Sequence, residues 1–124
     1  MSLNVAVVQF APAEDKAENL AEIERMLREA ATGGVRLAVL PEYAVFTAPA
    51  MDDRFVDSAE PLDGPAVSRL RALSTELDLS IIAGVNETAT GGRIHNTLVG
   101  IQDGEVKTVY RKVHLYDEIG RAHV

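Results

Sequence analysis

The chain has 124 residues, with 19 acidic against 12 basic side chains, a formal net charge of -7 and no cysteine. A composition of 47% apolar and 25% charged residues belongs to a folded globular domain and excludes disordered, collagenous and disulfide-stapled chains. The acidic balance argues against nucleic acid or an anionic membrane as partner, since both need a basic face, and the absence of thiols excludes thiolate metal sites and a cysteine nucleophile within these residues.

The run Leu3 to Phe10 (LNVAVVQF) is apolar, Val-rich and too short for a stable helix, so it predicts a buried strand ended by Ala11-Pro12. Asp15 followed by Glu18 has capping-box spacing. Leu20, Ile23, Leu27 and Ala30 then recur at helical period up to Gly33-Gly34, a helix stop. Val35 to Leu40 (VRLAVL) predicts a second strand, stopped by Pro41, with Glu42 just beyond its carboxyl end. Tyr43 to Glu60 has no clean period and predicts a long loop with at most one helical turn. Asp63-Gly64-Pro65 opens a second helix with Val67, Leu70, Leu73 and Leu77 on its inner stripe. Leu79 to Val85 predicts a third strand and Thr88 to Arg93 a polar turn. Ile94 to Gln102 and Glu105 to Tyr110 predict a hairpin around Asp103-Gly104, because Asp-Gly tolerates the positive φ of a type I′ turn.

The order β-α-β-α-β plus hairpin predicts an α/β fold whose first strands are parallel. Right-handed crossovers put both helices on one face. Yet the first two strands are apolar on both sides, as in sheets buried on both faces, so a second cover is expected from outside these residues. No apolar run approaches the roughly 20 residues of a membrane span. The start carries no secretory signal, so a cytoplasmic address is expected.

Catalytic groups in open α/β sheets gather beyond the carboxyl ends of the strands. Those ends supply Gln9, Glu42, Asn86 with Glu87, and Arg111 with Lys112. Glu42 and Lys112 are a candidate base and a candidate cation, although each residue type is more often a solvated surface charge. His95, His114 and His123 lack metal-ligand spacing. Asp52-Asp53 reads as two hydrated loop acids, and an acid at Gln9 would be needed for a receiver-like reading of them. Gly91-Gly92 is a turn, since no phosphate-binding glycine motif surrounds it. Spacing alone therefore supplies an acid/base and a cation, with no nucleophile, no metal and no cofactor.

Taken in order, VAVVQFAP, VRLAVLPEY, LSIIAGVNE, HNTLVGIQDGEV and VYRKVHLYD resemble the amino-terminal part of the carbon–nitrogen hydrolase (nitrilase) superfamily, from Leu3 to Asp117. The joint presence of LPE and YRKVHL carries the resemblance; either alone is weak. It implies an αββα sandwich, of which this chain would be the amino-terminal half, with a second sheet as the missing cover. It also implies a Glu-Lys-Cys triad hydrolysing a small-molecule amide or nitrile, in a parent enzyme that is a homo-oligomer. Glu42 would be the general base and Lys112 the oxyanion partner. The family's cysteine lies some tens of residues beyond the lysine, in a GxCYD-like segment, and a further family glutamate also follows.

Residues 1–117 are thus expected to be a partial domain, truncated before its nucleophile and inactive alone. The tail EIGRAHV, Glu118 to Val124, departs from the family. It reads as an in-frame translation of a common sequencing-library adapter, and is expected to be non-native. The expected parent activity is that of an amidase of small aliphatic or ω-amides, with nitrilase or carbamoylase as the alternative within the family. The rival outside it is a non-enzymatic α/β module that binds a partner through its bare sheet face.

Overall fold

The computed structural model describes residues 2–112. Its elements run β1 (Val5–Val7), α1 (Lys16–Thr32), β2 (Leu37–Val39), α2 (Asp53–Ser58), α3 (Pro65–Leu77), β3 (Ser80–Thr88), β4 (Ile94–Gln102) and β5 (Glu105–Arg111). They build one sheet in the order β1-β2-β3-β4-β5. The pairs β1/β2 and β2/β3 are parallel, and β3/β4 and β4/β5 antiparallel.

The local signals act where the sequence puts them. Asp15 caps α1 by accepting from the Glu18 backbone N–H at 3.1 Å, and Gly34 takes the left-handed φ of +80° beyond the helix end. Pro65 opens α3 behind Gly64, which has no side chain to cap with. Glu60 does that job from outside, its Oε1 accepting from Ala66 N at 2.8 Å, while Lys16 Nζ holds its Oε2 at 2.5 Å. The Asp103-Gly104 turn has positive φ at both positions, as type I′ requires.

Helices α1 and α3 lie on one side of the sheet. Their Ile23, Leu27, Val67, Leu70 and Leu73 meet Ala38, Ile81, Ala83, Val99 and Ile101 in one core. The opposite side exposes Val5, Val7, Leu98 and Tyr110, so the expected uncovered apolar face is present. A second, smaller cluster packs Phe46 and Phe55 with Ile94 and anchors the segment after β2.

Two features depart from expectation. The third strand does not stop at Val85 but runs through Asn86 and Glu87 to Thr88, because β4 pairs with it residue by residue. The hairpin is also irregular. From Ile101↔Val106 the register passes to Gly100↔Thr108, so Lys107 is an extra residue in β5. Relative to regular alternation counted from the turn, this bulge exchanges the faces of every side chain beyond it in β5.

Candidate active site

Past β2 the chain keeps running beside β3, with Leu40 N donating to Ile82 O at 2.8 Å and Ala44 N to Gly84 O at 3.0 Å. Between them Pro41 has no N–H to give, and Glu42 crosses directly over Gly84. A Cβ on Gly84 would stand 2.8 Å from Glu42 Cα, closer than real side chains come, so only glycine lets the segment approach. Tyr43 then takes a left-handed φ of +55°, an uncommon conformation for a bulky residue. It is held by an edge-on contact with the Phe55 ring, 5.7 Å between centroids. Burial, and then the Glu42 charge, push the Tyr43 phenol above its ordinary value against the pull of an Asn96 hydrogen bond, so the ring stays neutral at pH 7.

Lys112 arrives from the far end of the hairpin. Its backbone N–H donates to Asn96 O at 2.9 Å, and its Nζ donates to Glu42 Oε2 at 3.3 Å. Were Lys107 paired in regular register instead of bulged, Lys112 would fall opposite His95, on the helix side of the sheet. The bulge turns it to the open side where Glu42 lies. The two side chains are 38% and 51% exposed, and a pair this open contributes little to folding. They border a groove of about 340 Å³ lined also by Gly84, Asn96, Leu98 and Tyr110. The groove therefore has one carboxylate and one ammonium at its polar end and apolar walls beyond.

The other candidates are not in the groove. Glu87 is buried in β3, where its carboxylate accepts from Thr97 Oγ1 at 2.8 Å and from Arg111 Nε and Nη2 at 2.8 and 2.7 Å. The expectation that Asn86, Glu87 and Arg111 project from strand ends beside Lys112 is corrected: Asn86 and Glu87 are ladder residues, and Arg111 is spent on Glu87. Gln9 is exposed beyond β1 and outside the groove. Asp52 caps α2 and binds the Arg54 guanidinium, so it is a structural acid. Among the described residues no three His, Cys, Asp or Glu side chains cluster as a metal site. His114, His123 and the tail Glu118 to Val124 lie outside the described residues. Sequence reasoning missed Gly84, Tyr43 and Asn96. The Asn96 signal was a carboxamide inside an apolar strand; its Glu42 and Tyr43 partners come from the segment after β2, and only its backbone contact with Lys112 depends on the bulged register.

The carbon–nitrogen hydrolase family model matches residues 4–123. Among curated proteins, the chain is 33% identical over 120 residues to the chloroplastic omega-amidase of Arabidopsis thaliana, covering 92% of this chain and 32% of that protein. It is 30% identical to the human omega-amidase NIT2, covering 94% of this chain and 42% of that protein. Among solved structures, a carbon–nitrogen hydrolase from Helicobacter pylori superposes with a TM-score of 0.84 at 23% identity, over 97% of this chain and 42% of its own. Saccharomyces cerevisiae Nit3, of the nitrilase superfamily, gives 0.80 at 25% identity, over 97% of this chain and 47% of its own. The chain thus spans less than half the length of these relatives, and the resemblance first carried by LPE and YRKVHL extends to the whole described fold. Matched over all but its first three residues and its last, and sharing its sheet with nitrilase-fold proteins, the chain belongs to the carbon–nitrogen hydrolase family.

Proposed function

We propose that these residues are the amino-terminal part of an enzyme that hydrolyses a non-peptide carbon–nitrogen bond, with Glu42 and Lys112 as two members of a Glu-Lys-Cys triad. The observation that carries this reading is the 3.3 Å approach of Lys112 Nζ to Glu42 Oε2 at the mouth of a groove. The cysteine comes from a part of the polypeptide that the 124 residues do not include, since they contain none. Glu42 takes the thiol proton as sulfur bonds to the amide carbon, and the carbonyl π pair moves onto oxygen, where the Lys112 ammonium meets it. Collapse restores the carbonyl and breaks the C–N bond, and nitrogen leaves as ammonia with the proton that Glu42 held. Water then attacks the thioester and gives a proton to Glu42. The second collapse breaks the C–S bond, releases the acid and returns that proton to sulfur.

Similarity to proteins named omega-amidases supports small aliphatic or ω-amides as substrates. The apolar walls supplied by Leu98 and Tyr110 suit an uncharged aliphatic stem. We further propose a cytoplasmic parent that forms homo-oligomers, and a non-native tail from Glu118 onward. Among the described residues no helix is long and apolar enough to cross a membrane. The genomic sequence after the Asp117 codon tests these points together. It should replace EIGRAHV and encode a cysteine, and the complete protein should release ammonia from small amides while the 124-residue chain does not. Amide hydrolysis by the 124 residues alone, or full activity in the complete Glu42→Gln protein, would overturn the assignment.

A further inference from the structure

We infer that Asn96 is a positioning residue of this site, a side chain that holds Glu42 in both of its protonation states; the inference rests on Glu42 being the base. Asn96 is the third residue of β4 and is only 7% exposed. It touches both catalytic residues at once. Its backbone carbonyl accepts the Lys112 backbone N–H at 2.9 Å, while its side-chain Nδ2 donates to Glu42 Oε2 at 2.7 Å and to Tyr43 Oη at 3.4 Å. The carboxylate on one loop and the lysine at the end of one strand are therefore referenced to a single buried residue on a central strand.

The chemistry of the donor set assigns the two carboxylate oxygens different work. Among the described residues, both donors to Glu42, Asn96 Nδ2 and Lys112 Nζ, fall on Oε2. Protonating Oε2 would leave it one weakly accepting lone pair for two donors, so at least one bond would be lost. Protonating Oε1 breaks neither, because Oε2 then becomes the carbonyl oxygen of the acid and still accepts. Oε1 is thus the oxygen that takes and returns the proton. A carboxamide donor also does not titrate, so it holds the neutral acid as well as the anion. This matters when the Lys112 ammonium turns from Glu42 to the developing oxyanion, because Asn96 then keeps the acid in line. Aspartate at this position would have the same shape, no N–H, and a negative charge facing Glu42.

Two measurements test the inference. In the 124-residue chain, the Asn96 side-chain amide resonances should move in Glu42→Ala by more than those of Asn86, whose Nδ2 binds Phe46 O instead; unmoved Asn96 resonances would overturn the contact. In the complete enzyme, Asn96→Ala and the isosteric Asn96→Asp should each lower kcat about 100-fold, the scale of a misplaced catalytic group. KM should stay within roughly threefold, because substrate binding is not what is lost. If Glu42→Gln is inactive while folded Asn96→Asp and Asn96→Ala keep kcat within about twofold, the Asn96 inference fails and the base assignment stands. If Glu42→Gln remains active, the base assignment itself fails, and the inference with it.

Discussion

At Glu87 two effects oppose each other on one carboxylate. Burial pushes its carboxyl up, while the Arg111 guanidinium and the Thr97 hydroxyl pull it down, and the balance lies below the ordinary value of 4.5. A carboxyl depressed in the folded state stabilises that state above its unfolded pKa, and the contribution is lost as pH falls through the folded value. Glu87→Gln keeps the shape and gives up the charge. Arg111 is half exposed, so water compensates part of the loss, and the expected cost at pH 7 is about 1–2 kcal/mol. Urea unfolding of both forms at pH 7 and again below pH 4.5 checks this, and the gap should narrow in acid. A gap that stays constant with pH would mean that the charge contributes nothing. Glu87 also shows the limit of reading single residues. An acid after an apolar run looks like a strand end, and only the partners brought by β4 and β5 make it a strand interior. Glu42 was legible because the proline before it marks a real stop.

The elements whose signals are local were legible in the sequence: the Asp15 cap, the glycines after α1, the proline opening α3 and the Asp-Gly turn all act within a few residues of themselves. What could not be read is the Lys107 bulge, whose cause lies in strand pairing. It decides the site, because it sets which of Arg111 and Lys112 faces Glu42. Counting evenly outward from the Asp103-Gly104 turn pairs Asn96 with Arg111 and sends Lys112 to the helix side. The observed pairs are Thr97↔Arg111 and Asn96 O with Lys112 N. Deleting Lys107 should remove the bulge and leave the pairing beyond it in place, because Thr108 then follows Val106 directly and still lies opposite Gly100. In that variant, hydrogen-exchange protection should stay at the amide of Lys112, and the Glu87–Arg111 bridge and the Lys112–Glu42 contact should survive. Protection passing from Lys112 to Arg111 would mean that the strand slips elsewhere and that Lys107 is not the residue that absorbs the count.

At the scale of the molecule, one face of the sheet is covered by α1 and α3 and the other carries Val5, Val7, Leu98 and Tyr110 at 48%, 78%, 43% and 55% exposure. A contiguous apolar face of this kind is an association surface. The 124-residue chain should therefore bind a hydrophobic dye and self-associate at concentrations on the order of micromolar to millimolar, the range in which exposed sheet is prone to do so. Val7→Lys and Leu98→Lys, at opposite sides of that face, should shift it toward monomer in sedimentation velocity without loss of circular dichroism, as charges placed on exposed strands do. In the complete protein the same substitutions should act with the opposite sign. If a second sheet covers this face there, each lysine replaces a buried aliphatic side chain worth about 1.5–3 kcal/mol and adds a charge to be desolvated, so the complete protein should lose stability. The reversal separates the two roles of the surface. A face that meets only solvent or transient partners would gain or hold stability with lysine in both proteins, whereas half of a sandwich core tolerates lysine only while its other half is missing.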